Sequence, residues 1–117
     1  MKAMVCLLAL FAFVVPQVYS QQAVTLKGTI IDNQCAGAQT PQELTEFVKT
    51  HTKECALMAT CAASGYAIFA DGKLQQFDRS SSAKVHDFLK QKDSTLQVEI
   101  VATPGDKGLG LVSIKNR

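Results

Sequence analysis

The sequence lacks the short patterns that mark the commoner enzyme classes. No G-x-S-x-G, P-loop, H-E-x-x-H or G-x-G-x-x-G occurs in its 117 residues. Neither a nucleophile elbow, a phosphate cradle, a zinc-protease helix nor a dinucleotide turn is therefore written into it. The "GLGL" at 108 to 111 is a glycine-bearing strand, not a phosphate-binding loop. Cys-x-x-Cys and His-x-x-x-His are absent too, so no redox or zinc spacing stands out on inspection. Basic residues form no block or stripe. A nucleic-acid partner needs a concentrated positive face, and that class is excluded as an expectation. Internal repeats and low-complexity linkers are also missing.

The longest apolar run is too short for a membrane span. It extends from Met4 to Val15, about 12 residues against the ~20 needed to cross a bilayer. It follows Lys2 and precedes the helix-breaking Pro16, with Val18 and Ser20 before the expected cut. That order predicts a secretory signal peptide over 1–20 and a single mature domain over 21–117, exported to a periplasm or secreted. The mature part has no transmembrane segment, and no lipobox-type cysteine stands at the cut. With Lys2 removed, eleven basic and ten acidic side chains remain, a net charge of +1.

Cys6 leaves with the signal, and three cysteines stay: Cys35, Cys55 and Cys61. An oxidising compartment makes at least one disulfide the expectation. Three is odd, so one thiol stays free, pairs between chains or binds something.

Hydrophobic periodicity orders the rest. "AVTLKGTIID" alternates, with Val24, Leu26, Gly28 and Ile30 on one face, and predicts a half-buried strand. "NQCAGAQT" reads as a loop. Thr40, Pro41 and Glu43 then open a helix with a capping box and proline at its first position. Along it Leu44, Phe47, Val48, His51, Cys55 and Met58 recur at three and four, one stripe of a single helix. "SGYAIFADGKLQQFD" predicts a hairpin turning at Asp71-Gly72, a pair that tolerates the positive φ of a type I′ turn. "SSSAKVHDFLKQK" predicts a short, serine-capped helix with a Val85/Phe88/Leu89 stripe and His86 on the polar side. Two further strands follow, Leu96, Val98 and Ile100 alternating in the first, joined at Pro104-Gly105-Asp106.

These elements predict a mainly β (α+β) fold: a small OB-like five-stranded barrel, one helix inserted between strands 1 and 2 and a short helix between strands 3 and 4. A two-layer α+β sandwich is the competing architecture. Phe69 and Phe77 are assigned to the core, and Tyr66 is expected to carry its hydroxyl outward.

"HTKECALMATC" at 51 to 61 gathers three kinds of soft-metal ligand in eleven residues. Three readings follow. In the leading one a Cys35–Cys61 disulfide staples the base of the helical insertion, with Cys35–Cys55 next in order. Its loop of 26 residues corresponds to roughly 3 kcal/mol of chain entropy. In the second, copper or zinc is held by His51, Cys55 and Met58 with Cys35 and Cys61. Imidazole, thiolate and thioether suit Cu(I), while a Cys₃His set suits zinc. In the third, Cys55 is a reactive thiol with His51 one turn away. Asp32 terminates the first strand, and Glu54 lies on a solvated face.

At "IIDNQCAG", "HTKECALM-x-x-C" and "SGYAIF-x-DGK-x-x-x-FD" the chain resembles a family of small, poorly characterised exported bacterial proteins. They share a strand ending in Asp-x-x-Cys, a His-x-x-x-Cys-x-x-Met-x-x-Cys segment and a following Ser-Gly-Tyr hairpin. The resemblance covers most of the mature chain and is most specific over 51 to 72. It marks Asp32, Cys35, His51, Cys55, Met58 and Cys61 as motif positions, and implies an OB-like fold and export but no activity. The expectation is a non-enzymatic, exported binding or envelope-associated domain of unknown ligand, stapled by a disulfide. Soft-metal binding and thiol redox chemistry are the alternatives.

Overall fold

The computed structural model describes residues 12–14 and 22–117. The expected signal peptide and Cys6 fall largely outside the described residues. Among those residues no helix is long and apolar enough to cross a membrane.

Five strands form one antiparallel sheet: β1 (Val24–Asp32), β2 (Tyr66–Ala70), β3 (Lys73–Gln76), β4 (Gln97–Thr103) and β5 (Gly110–Asn116), in the order β3-β2-β1-β4-β5. The central β1 changes partner at Thr29. Its first part pairs with β4, from Val24↔Ala102 to Thr29↔Gln97, and its last with β2, from Thr29↔Phe69 to Asp32↔Tyr66. At Gly28 a Cβ would lie 2.4 Å from the Phe69 carbonyl oxygen, so only glycine lets the two strands close up there. β2 turns into β3 through Asp71 and Gly72 at φ 52° and 74°, the positive pair predicted for the hairpin.

The closed barrel is not supported. β3 and β5 are the edges of an open sheet, and they meet only at one parallel bridge, Phe77↔Leu109. There Leu109 N–H donates to the Gln76 carbonyl at 2.8 Å and Asp78 N–H to the Leu109 carbonyl at 3.0 Å. The physical reason lies in the chain just beyond. Asp78 caps α5 (Arg79–Leu89) immediately after a four-residue strand, so β3 becomes helix before it can run along β5. α5 then packs Val85 and Leu89 against Ile30, Ile68, Val98 and Ile100, the main core on one face of the sheet.

The Asp78 cap replaces the predicted serine cap. Its Oδ1 accepts from Ser81 N–H at 2.8 Å, while the Ser81 hydroxyl accepts from Leu111 N–H at 2.7 Å. Asp78→Ala is expected to lower stability by about 1 kcal/mol at neutral pH, read by urea denaturation. Hydrogen bonds from the Ser81 hydroxyl and N–H hold the Asp78 carboxyl below its usual range. A depressed carboxyl contributes above its unfolded pKa and loses that contribution as pH falls through the folded value. The difference between Asp78→Ala and wild type should therefore be full above about pH 4 and shrink below it.

The insertion between β1 and β2 holds four short helices: α1 (Asn33–Gly37), α2 (Pro41–Thr50), α3 (Lys53–Ala56) and α4 (Ala59–Ala63). The predicted loop after β1 is thus helical at its start. α2 has the predicted Thr40 cap, and Leu44 and Val48 pack with Ile31 and Ala67 in a second small core. Ile30 and Ile31 point to opposite faces, so the insertion covers the side of the sheet that α5 leaves bare. This is why the end of β1 is buried on both faces rather than half-buried.

The single helix predicted from 41 to 61 is broken twice. His51 and Met58 are extended, with ψ 133° and 142°. Thr52 restarts the chain as a cap, its hydroxyl accepting from Cys55 N–H at 3.2 Å. A β-branched hydroxyl residue offers the backbone that local alternative to helix continuation.

Candidate functional site

Asp32 ends β1 and caps α1, its Oδ2 accepting from Cys35 N–H at 2.9 Å. The Asp-x-x-Cys spacing is therefore a cap-to-third-residue geometry that sets the cysteine beside the carboxylate. α1 is tied to the end of α4 by three bonds. Asn33 N–H donates to the Gly65 carbonyl at 2.9 Å, Asn33 Nδ2 to the Ser64 carbonyl at 2.9 Å and Gln34 N–H to the Ser64 hydroxyl at 3.0 Å. The Ser64 hydroxyl donates in turn to the Cys61 carbonyl at 2.6 Å. These bonds bring Cys61 to Cys35.

The result is a compact set of donors. One ligand atom each from Asp32, Cys35 and Cys61 lies within 4.8 Å of the others, and the two sulfurs are 4.3 Å apart and unbonded. His51, at the end of α2, places Nε2 at 3.1 Å from Asp32 Oδ1. Both side chains are buried, at 2% and 0% exposure. The contact has ion-pair distance but not hydrogen-bond alignment: Asp32 Oδ1, His51 Nδ1 and His51 Nε2 are buried without a hydrogen-bond partner. The Phe47 ring stands 5.2 Å from the imidazole and closes its apolar side.

The electrostatics are those of crowded acids. Burial, a hydrogen bond to Asp32 and the neighbouring Asp32 and Cys61 push the Cys35 thiol up to about 12. Burial and the same two neighbours push Tyr66 up to about 12. A thiol so raised stays protonated at neutral pH and is a poor nucleophile.

The structure divides the sequence candidates. Asp32, Cys35, His51 and Cys61 come together. Cys55 and Met58 do not: both are exposed, Met58 at 58%, on α3 and at the start of α4. The two breaks in the expected helix turn them out of the stripe. His51 faces Asp32 rather than Cys55, which removes the pairing that the reactive-thiol reading needs. Tyr66 is also not as expected. It is fully buried, opposite Asp32 in the sheet, and its hydroxyl donates to the Ala56 carbonyl at 2.7 Å. His86 is half-buried and stacks on Tyr66, with centroids 6.3 Å apart, rather than standing free on a polar face. Asp32 as a donor was missing from the sequence reading, although Asp-x-x-Cys carried the signal as a cap. Comparison with protein-family models, curated proteins and solved structures finds no match to this chain.

Proposed function

We propose that the protein is a small exported, non-enzymatic metal-binding domain whose centre is Asp32, Cys35 and Cys61 with His51. The observation that carries this reading is the convergence of three ligand atoms within 4.8 Å beside a buried imidazole and carboxylate oxygen that lack hydrogen-bond partners. Buried polar atoms without partners are costly, and one cation would satisfy Asp32 Oδ1 and one nitrogen of His51. Burial first, and then the neighbouring acids, raise Cys35 and Tyr66 in this cluster, and the same cation would offset the charge of those neighbours. Two thiolates, a carboxylate and an imidazole fit zinc better than copper, since the thioether that Cu(I) favours, Met58, lies outside. Two sulfurs bound to tetrahedral zinc at ~2.3 Å are about 3.8 Å apart, close to the 4.3 Å separation here. Asp32, Cys35 and Cys61 supply three donors, and His51, in contact with Asp32, is the candidate for the fourth that would close the site as a binding rather than a catalytic one.

The family resemblance, the export and an OB-like relation of the open sheet belong to the same proposal. The lone Phe77↔Leu109 bridge supports the last of these as the place where the edges approach.

Titration of the reduced protein with zinc, and with cobalt(II) as a spectroscopic probe, tests the reading. One ion per chain is expected, with thiolate-to-cobalt charge transfer. Cys35→Ser and Cys61→Ser should each weaken binding at least about 100-fold, whereas Cys55→Ser and Met58→Leu leave it unchanged. Equal loss in Cys55→Ser, or no binding at all, would sink the proposal.

A second reading is favoured by one observation, the 4.3 Å separation of Cys35 and Cys61 sulfurs. A disulfide between them would staple α1 to α4 across a 26-residue loop, worth roughly 3 kcal/mol.

A further inference from the structure

The metal reading and the disulfide reading claim the same two sulfurs. We propose that they are two states of one site: a disulfide oxidant converts the Cys35/Cys61 pair to a bond and expels the metal. This inference rests on the proposed function and adds its regulation.

The geometry gives the pair that double capacity. The sulfurs are 4.3 Å apart, slightly beyond the ~3.8 Å of two sulfurs on tetrahedral zinc and well beyond the about 2.05 Å of a disulfide, so a small inward movement serves either state. They sit on separate five-residue helices that the Asn33, Gln34 and Ser64 bonds hold side by side. Closing the S–S bond then calls for side-chain rotation within a fixed frame. Cys55 is excluded because it is exposed on α3, away from the cluster. Of the pair, Cys35 is the more accessible and Cys61 is buried, so a solvent-borne oxidant meets Cys35 first.

The step balances with a low-molecular-weight disulfide such as oxidised glutathione. The Cys35 thiol loses its proton to solvent and, as the thiolate, slowly attacks one sulfur of the oxidant, breaking its S–S bond and releasing one glutathione thiolate. The Cys61 thiolate then attacks Cys35 sulfur in the mixed disulfide and releases the second. The protein pair loses two electrons, the oxidant gains them, and each glutathione thiolate takes a proton from solvent. The metal ion leaves because neither sulfur retains the anionic donor it needs.

Linkage makes the relation reciprocal: a ligand that binds only the dithiolate must oppose its oxidation. The test uses the purified protein loaded with one zinc, exposed to oxidised glutathione without air. A chromogenic chelator follows free zinc, and peptide mapping follows the Cys35–Cys61 bond. One zinc should appear per bond formed, and dithiothreitol should restore zinc binding. Saturating zinc should slow bond formation at least about tenfold relative to metal-free protein. In Asp32→Asn, which keeps a capping side chain, that protection should largely vanish while the bond still forms. Cys55→Ser should behave as wild type.

A bond that forms while zinc stays bound would overturn the inference, as would zinc-loaded protein in which oxidation pairs Cys55 instead. Failure of the reduced protein to take zinc at all would overturn the function it rests on, and the inference with it.

Discussion

Removing the His51 ring by His51→Ala is expected to destabilise the metal-free protein by about 3 kcal/mol, because it empties a buried position beside Phe47 and takes away the group 3.1 Å from the Asp32 carboxylate. Asp32 has 0% side-chain exposure, and His51 is its only ion-pair partner among the described residues. Without the imidazole, Oδ1 is left in a cavity walled by the insertion and the sheet. Asp32→Asn in the same background should recover much of the loss, because the amide keeps the α1 cap and removes the stranded charge. Urea denaturation with a chelator present measures both, and the double variant separates charge from packing. If His51→Ala costs less than about 1 kcal/mol, the two groups are not energetically coupled, and the site loses its fourth donor as a structural participant. The reverse comparison is also informative. Saturating zinc stabilises the folded state by mass action, so its effect on denaturation should shrink in His51→Ala in step with the weaker affinity.

Gly28→Ala should lower stability by about 3 kcal/mol, at the upper end of what overpacking costs. The added Cβ would stand 2.4 Å from the Phe69 carbonyl oxygen and 2.9 Å from the Ala70 Cβ. The first of these is backbone, which cannot swing aside. β1 or β2 must shift at the point where β1 exchanges β4 for β2, and both ladders depend on that register. For a domain of this size the loss corresponds to a melting temperature lower by about 15 °C. Gly37→Ala is the control, since a Cβ there meets nothing within 4 Å. Calorimetry should find that variant neutral or slightly stabilised. If Gly28→Ala melts with the control, the close approach of the strands is not maintained in solution.

Much of the fold could be read from periodicity. The alternation in Leu96, Val98 and Ile100 matches their burial, Asp71-Gly72 makes the turn, and Thr40-Pro41 starts α2. These features are local. Each depends on residues within a few positions, where propensity and pattern act directly. The stripe from Leu44 to Met58 misled because periodicity cannot register where a helix stops. Leu44 and Val48 obey it, but Thr52 competes for the backbone, and beyond it Cys55 and Met58 face solvent. Barrel closure was likewise out of reach. It depends on how far β3 runs before Asp78 caps a helix, and the alternation of "KLQQF" does not show that the next residue is that cap.

The site shows the same division. The sequence by itself determined the ingredients: three mature cysteines with an odd one to place, a histidine within the same insertion, and an aspartate three residues before the first cysteine. It also determined that Cys35 and Cys61 approach, because an insertion between paired neighbouring strands must leave and return at one end of the sheet. Only the tertiary structure decided which cysteine stands apart, and that Asp32, beside the other two, meets His51 at 3.1 Å. The physical reason is range. Capping and pairing act through the chain over a few residues, whereas the burial of Asp32 with His51 arises when Ile31 and Ala67 draw α2 down onto the sheet. That long-range packing carries the end of α2 onto the last residue of β1, nineteen positions earlier in the chain.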